Sequence, residues 1–291
     1  MGIIIWSGLV LGAVYALVAS GFTMVLVPTG VFNFAQGAIV VGGSFLGYQW
    51  LSSLRVPDAV AFILTILLGG AAGLLCEVLA VRSLRWGRGT VGANSIVTTV
   101  GASTALVGLF GVIWGYQPLL VPFDGPARNV HFLGVIARPV EIIVVAAALI
   151  SAVGLHVLAR HTRWGQACLA VAEDREAAML RGINVSNLSL AAFGAAGAFG
   201  ALAGMVVGPI TYALTTLGPT LALGGFVALA LGGEGSFIGG LVGGLLVGLV
   251  SSFATRYIGA SYSDLSVLAL LLLTLALRPK GLGGLGEVRR V

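Results

Sequence analysis

The chain has 291 residues, of which 58% are hydrophobic and 9% charged, where a soluble domain carries charge on about a quarter of its residues. With a mean hydropathy of +1.07, that composition excludes a soluble globular protein and predicts an integral membrane one. The formal net charge of +5 does not point to nucleic acid, because the basic residues stand at the ends of apolar runs, where they act as topology signals.

Apolar stretches of roughly 20 residues recur along the chain. The 45 glycines within and between them suit helices that pack closely through small residues. A β-barrel would instead alternate polar and apolar residues over segments of about 10. The expected fold class is therefore all-α, a polytopic transmembrane bundle forming one domain over 1–291. Cys76 and Cys168 lie far apart with no CxxC spacing, so both read as small apolar fillers rather than a disulfide or zinc pair.

In chain order, the amino terminus has no basic residue before its first apolar run, which is longer than a signal-peptide core and reads as a retained span. Nine spans are predicted, near 3–27, 31–54, 59–81, 92–115, 140–159, 188–213, 217–233, 236–255 and 263–278. Placing the amino terminus outside puts Arg82, Arg85, Arg88, Arg160, Arg163, Arg175, Arg181, Arg278, Lys280, Arg289 and Arg290 in the cytoplasm. It leaves Arg55, Arg128, Arg138 and Arg256 outside. The split of eleven to four favours that orientation.

Two interruptions stand out. Pro28 to Gly37 (PTGVFNFAQG) is either a tight turn or an unwound section at membrane depth, which is tolerated only under a cover of protein or water. Leu217-Gly218-Pro219-Thr220 is expected to break the later half in the same way. Paired breaks hint at internal duplication and a central site. Residues 116–139 carry four prolines and read as an outer loop, with room for short strands.

The one long internal stretch dense in charge is Arg160 to Asn187, RHTRWGQACLAVAEDREAAMLRGINVSN. From Arg163 to Leu180 its residues favour helix, with Gly182 placed to end it. It is too polar to cross lipid and is expected to form one or two short helices beside the membrane. Leu169, Val171, Ala172, Ala177, Met179 and Leu180 are available for packing. A solvated connector and a docking element for a cytoplasmic partner are the competing readings of its charge.

The EDREAAMLRGINV segment resembles the cytoplasmic coupling region of membrane permease subunits of ABC importers for branched-chain amino acids, in which A-x-x-[ED]-[DN]-x-x-[AL]-A-x-x-x-G-[IV] recurs. Gly8 to Gly21, Asn33 to Gly37 (NFAQG), Ser95 to Gly101 (SIVTTVG), Gly232 to Gly240 (GGEGSFIGG) and Arg278 to Gly284 (RPKGLGG) resemble further blocks of that family in their usual order. Gln36, where many members have His, and Glu234, where an apolar residue is commoner, depart from it.

The resemblance implies one of two membrane subunits, a copy or a related chain, in a bacterial inner-membrane importer. Two ABC ATPase subunits and an external solute-binding protein would complete it. The ATPases would grip Glu173, Asp174, Arg175, Ala178, Arg181, Gly182 and Ile183, and the binding protein would meet the 116–139 loop.

Within the chain, no P-loop can be written, because the sole lysine is Lys280 in Arg-Pro-Lys-Gly and phosphate binding needs a lysine after the glycine loop. ATP hydrolysis is therefore expected from a separate subunit, and no cofactor is implied. An ion-coupled carrier needs ionisable groups deep in the bundle. Glu77, Glu141 and Asp264 are instead expected near span ends. Asn33, Gln36, Asn94, Ser95, Thr98 and Thr99 are candidate lining residues of a translocation route, or else interhelical hydrogen-bonding groups. Ser95, Thr98 and Thr99 share a helix face by their spacing. His131, His156 and His161 show no metal-ligand or catalytic pattern, and Gly232 to Ser236 reads as a short cytoplasmic turn. The function expected is import of branched-chain amino acids. An importer of the same architecture for urea or short amides and an ion-coupled carrier are the alternatives.

Overall fold

A computed structural model describes residues 1–82, 91–122, 130–132, 135–277 and 281. Arg85, Arg88, Arg128, Lys280 and most of the Arg278 to Gly284 block lie outside them. The helices are α1 (Gly2–Thr29), α2 (Gln36–Gly47), α3 (Asp58–Cys76), α4 (Val91–Trp114), α5 (Pro139–His161), α6 (Arg163–Glu173), α7 (Arg175–Leu180), α8 (Val185–Thr211), α9 (Leu217–Gly232), α10 (Phe237–Tyr257) and α11 (Ser263–Leu277). Wider π-helical turns extend α2 over Tyr48–Ser53 and α3 over Glu77–Arg82. Between α4 and α5 a small hairpin pairs β1 (Val130–Phe132) antiparallel with β2 (Val135–Ala137), Val130 opposite Ala137.

The fold is an all-α membrane bundle. Among the described residues six helical stretches are long and apolar enough to span a bilayer: Gly2–Thr29, Asp58–Arg82, Ser95–Trp114, Pro139–His161, Val185–Thr211 and Phe237–Tyr257. The other three expected spans correspond to shorter pieces: α2 with its π turn, α9 and α11. The short π extensions allow side chains to shift register within a helix.

The chain divides into two compact units, Met1–Thr23 with Phe123–Val157 and Leu223–Val291, and Met24–Pro122 with Leu158–Ala222. In the first, α1 lies on α10 through two i,i+4 glycine pairs, Gly8/Gly12 and Gly244/Gly248. A Cβ on Gly8 would come within 2.9 Å of Leu249 Cα, and one on Gly244 within 2.7 Å of Ala16 N. Such close approach lets dispersion and backbone contacts hold helices that lipid would not drive together. Trp6 Nε1 donates to Glu141 Oε2 at 2.7 Å and Arg138 pairs with Glu141 Oε1 at 2.8 Å, fixing the start of α5. Glu141 thus stands at a span end, as expected, and Asp264 falls in the exposed first turn of α11.

In the second unit α2 is the enclosed element, with every residue of Gln36–Gly47 except Leu46 buried. A helix apolar all round is buried either in a protein core or as a membrane span, and α2 is covered by other helices. Its neighbour α8 supplies Gly204 against the Val40 carbonyl and Ala201 against Gly43. Ser44 Oγ donates to Gly204 O at 2.8 Å. On α3, Gly69 and Gly73 face Gly197 and Phe193 of α8 in the same way. Phe45 stacks on Trp114 of α4 with ring centroids 5.2 Å apart, and Trp114 Nε1 donates to Gln49 Oε1 at 2.9 Å.

Candidate functional site

The charged stretch folds as two short helices rather than one, and each turn of chain is capped by its own side chains. Thr162 Oγ1 accepts Gly165 N at 3.1 Å to begin α6. Gly165 has no room for a side chain, since a Cβ would lie 2.5 Å from Ala159 Cα, so the first turn of α6 packs directly against the last turn of α5. Asp174, expected in mid-helix, is the N-cap of α7, its Oδ1 accepting Glu176 N at 2.9 Å and Ala177 N at 3.0 Å. Gly182, at φ +86°, ends α7. Gly182 N donates to Met179 O at 3.0 Å and Ile183 N to Ala178 O at 3.1 Å, the paired bonds of a Schellman end. Asn184 then caps α8 through Asn187 N at 3.1 Å.

These caps present two faces. Cys168, Val171, Ala178, Val185 and Leu188 form a buried cluster, with Val27, Trp164, Ala167 and Ile183 packed against it. Burial pushes the Cys168 thiol up to about 12. Glu173, Arg175 and Arg181 are exposed, and so are Met179 at 49% and Leu180 at 90%. Of the residues expected to contact a partner, Ala178 and Ile183 thus face inward, while the charged ones face out. Met179 and Leu180, among the apolar residues available for packing, are exposed, because α7 is only six residues long and its one buried position is taken by Ala178.

The first break is an unwound section. Residues 30–35 are non-helical, and Val31, Asn33 and Ala35 are buried. Gly30 turns the chain at φ +67°. Asn33 Oδ1 accepts Ala35 N at 3.2 Å, and Gln36 Nε2 donates to Ala196 O of α8 at 3.0 Å. Thr99 secures the section from α4: its hydroxyl donates to Phe32 O at 3.3 Å and accepts from Phe34 N at 3.3 Å. Ser95 is buried on the same helix. Thr98 turns to Ala80 O at 2.7 Å on the π turn after α3. The side chain of Asn94 lies outside the described residues. The contacts of α2 advance along α8 in the same direction, Gln36 with Ala196, then Val40 with Gly204. Hence α2 starts level with the middle of α8.

The second break lies earlier than expected. Residues 212–216 are non-helical, whereas Gly218-Pro219-Thr220 fall in the first turns of α9. Proline is tolerated there because its missing N–H is one that no helix satisfies internally. Tyr212 adopts φ +62° and ψ 165°, a region costing a non-glycine residue on the order of 1–3 kcal/mol. Ala213 pairs with Leu119 through bonds of 2.9 and 3.0 Å, which hold the strained turn in place. The first two turns of α9 then lie against the start of α2: a Cβ on Gly37 would meet Gly218 O and come within 2.9 Å of Ala222 N.

Glu77, expected near a water-facing end, is fully enclosed. The Ser189 hydroxyl on α8 donates to its Oε1 at 3.1 Å. Its distance in sequence from the arginine cluster gives no sign of this, because the π turn and the packing of α8 on α3 decide it. Thr215, buried at 1% exposure, also went unremarked in the sequence, since a threonine between apolar runs carries no distinguishing pattern.

Comparison with known proteins agrees with this architecture. The chain is 30% identical to the high-affinity branched-chain amino acid transport system permease protein BraD of Pseudomonas aeruginosa over 98% of its own length and 96% of that protein's. It is 29% identical to the corresponding permease protein LivH of Salmonella typhimurium with the same coverage. It is 26% identical to the ribose import permease protein RbsC of Haemophilus influenzae over 78% of this chain and 68% of that one. The solved structure of PsaBC from Streptococcus pneumoniae in complex with Fab shares the fold, with a TM-score of 0.51 at 12% identity, covering 94% of this chain and 91% of that one. Residues 4–275 match the family described as branched-chain amino acid transport system, permease component, and the chain belongs to that family.

Proposed function

We propose that this multi-pass membrane protein is the permease subunit of an ATP-driven importer of branched-chain amino acids. It works with a second permease subunit, two ABC ATPases and an external binding protein, in a bacterial inner membrane with its amino terminus outside. The observation that carries the reading is the α6–α7 stretch. Its self-capped helices expose Glu173, Arg175, Arg181, Met179 and Leu180 while Ala178 and Ile183 anchor them to the start of α8. A mixed charged and apolar face on a preformed element suits docking, because little ordering is needed on binding. The 29–30% identity to LivH and BraD supports the choice of solute.

In this mechanism ATPase closure moves α7, and the buried cluster carries the displacement to Val185 and Leu188 of α8. One residue further on, Ser189 passes it to Glu77 on α3. Asn33, Gln36, Ser95, Thr98 and Thr99, with Asn94, border the route that opens and closes. The assembled transporter reconstituted in liposomes with its binding protein is expected to take up leucine on addition of ATP, with little competition from ribose or urea. Uptake driven by an ion gradient without any ATPase would overturn the proposal.

A further inference from the structure

The two breaks hold three buried polar atoms without a hydrogen-bond partner: Nδ2 of Asn33, Oε1 of Gln36 and Oγ1 of Thr215. Their residues are 1%, 0% and 1% exposed. An unpaired polar atom in such a place is costly. These three belong to segments that the fold brings side by side, as the close approach of Gly37 to Ala222 and of Gly218 to Ala38 shows.

Each of the three residues stands at or just before a helix start, with the Gln36 side chain lying along α8. Asn33 Oδ1 is held by Ala35 N, so the amide nitrogen on the same carbon also lies at the head of α2. Gln36 is the first residue of α2, and its nitrogen is committed to Ala196 O, which leaves its oxygen as an acceptor. Thr215 receives Gly218 N on its carbonyl at 3.5 Å, which puts it at the head of α9.

Helix starts carry amides without internal acceptors and the positive end of the helix dipole. Half-helices that begin at mid-depth place those ends against anionic substrate groups. Here α2 begins level with the middle of α8, and α9 begins beside it. A carboxylate is matched by Asn33 Nδ2 and the positive end of the helix dipole, an ammonium by Gln36 Oε1, and the Thr215 hydroxyl serves either.

We propose that the junction of α2 and α9 binds the α-carboxylate and α-ammonium of the transported amino acid through Asn33, Gln36 and Thr215, leaving the solute's side chain to be recognised elsewhere. This inference rests on the amino-acid permease reading above and adds the binding groups to it.

The test uses the complete transporter in liposomes, with ATP-driven leucine uptake measured for Asn33→Leu, Thr215→Val and, as a control, Thr65→Val. Thr65 is a buried threonine on α3 whose hydroxyl also has no partner. Uptake is expected to fall about tenfold or more in the first two, the loss of one hydrogen bond to a charged group, with assembly intact, and to be unchanged in the control. Should either variant fail to assemble, the wild-type complex decides the matter by thermal stabilisation. Leucine is expected to stabilise it, whereas leucinamide, without the carboxylate, and 4-methylpentanoate, without the ammonium, are not. Equal stabilisation by all three, or wild-type uptake in assembled Asn33→Leu and Thr215→Val, would overturn the site. Absence of ATP-driven leucine uptake by the wild type would instead sink the amino-acid permease reading itself.

Discussion

The α6–α7 stretch and the α2–α9 junction both interrupt apolar helix, and they solve that problem in opposite ways. In the first, the polar groups belong to neighbours in sequence: Thr162, Asp174 and Asn184 each satisfy amides two or three residues on. In the second, one local bond, from Ala35 N to Asn33 Oδ1, is joined by remote ones. Gln36 reaches Ala196, Thr99 reaches Phe32, and Ala213 reaches Leu119. A break that water can reach supports itself locally, whereas one enclosed by helices depends on the whole unit.

That contrast predicts unequal sensitivity. The largest effect is expected at Gly204→Leu, where a side chain would collide with the Val40 backbone. Overpacking costs about 1–3 kcal/mol, and more against backbone, so loss of monodisperse protein in detergent is the expected result. A folded, transport-competent variant would show that α2 is not fixed by α8. Next, Ser189→Ala removes the hydroxyl that Glu77 receives and should destabilise by roughly 1–3 kcal/mol, the range for depriving a buried acceptor of its donor. Reversible unfolding in mixed micelles would measure it.

At the α6–α7 stretch the effects should be smaller and separable. Asp174→Ala should cost about 1 kcal/mol through the lost cap. Faster hydrogen exchange confined to Glu176 and Ala177 is the expected signature, with Asp174→Asn restoring protection. If Asp174→Asn still fails to retain the ATPases, the carboxylate charge matters beyond the cap. Leu180→Asp, at a side chain 90% exposed, should leave stability within about 0.5 kcal/mol and yet weaken co-purification with the ATPases.

Cys168 offers a pH readout of the same region. Its thiol is raised from 9.0 to about 12 by burial. The folded state therefore disfavours the thiolate, and its stability is fully present below pH 9.0 and lost as the pH rises towards 12. Alkylation of Cys168 at pH 8 should stay slow until the cluster opens; rapid labelling of the folded protein would mean that α6 detaches readily.

How far the sequence could be read follows the same division. Lengths of apolar run located the helices, and Gly182 announced its own turn, because both are local properties. The cap role of Asp174 was hidden by strong helix formers on both sides, which made one continuous helix look as good as two. Pro219 looked like a break and is not one, since in the first turns it costs no hydrogen bond. The actual break begins at Tyr212, whose type gives no warning of φ +62°.

Composition alone was enough for the membrane class, since no arrangement of a chain this apolar leaves it stable in water. Helix propensity likewise sufficed for short helices between Arg163 and Leu180. The burial of Glu77 beside Ser189 and the meeting of α2 with α9 were left to the tertiary structure. Glycine-to-backbone contacts set which helix surfaces touch and at what level, and residues remote in sequence acquire partners only once those surfaces have met.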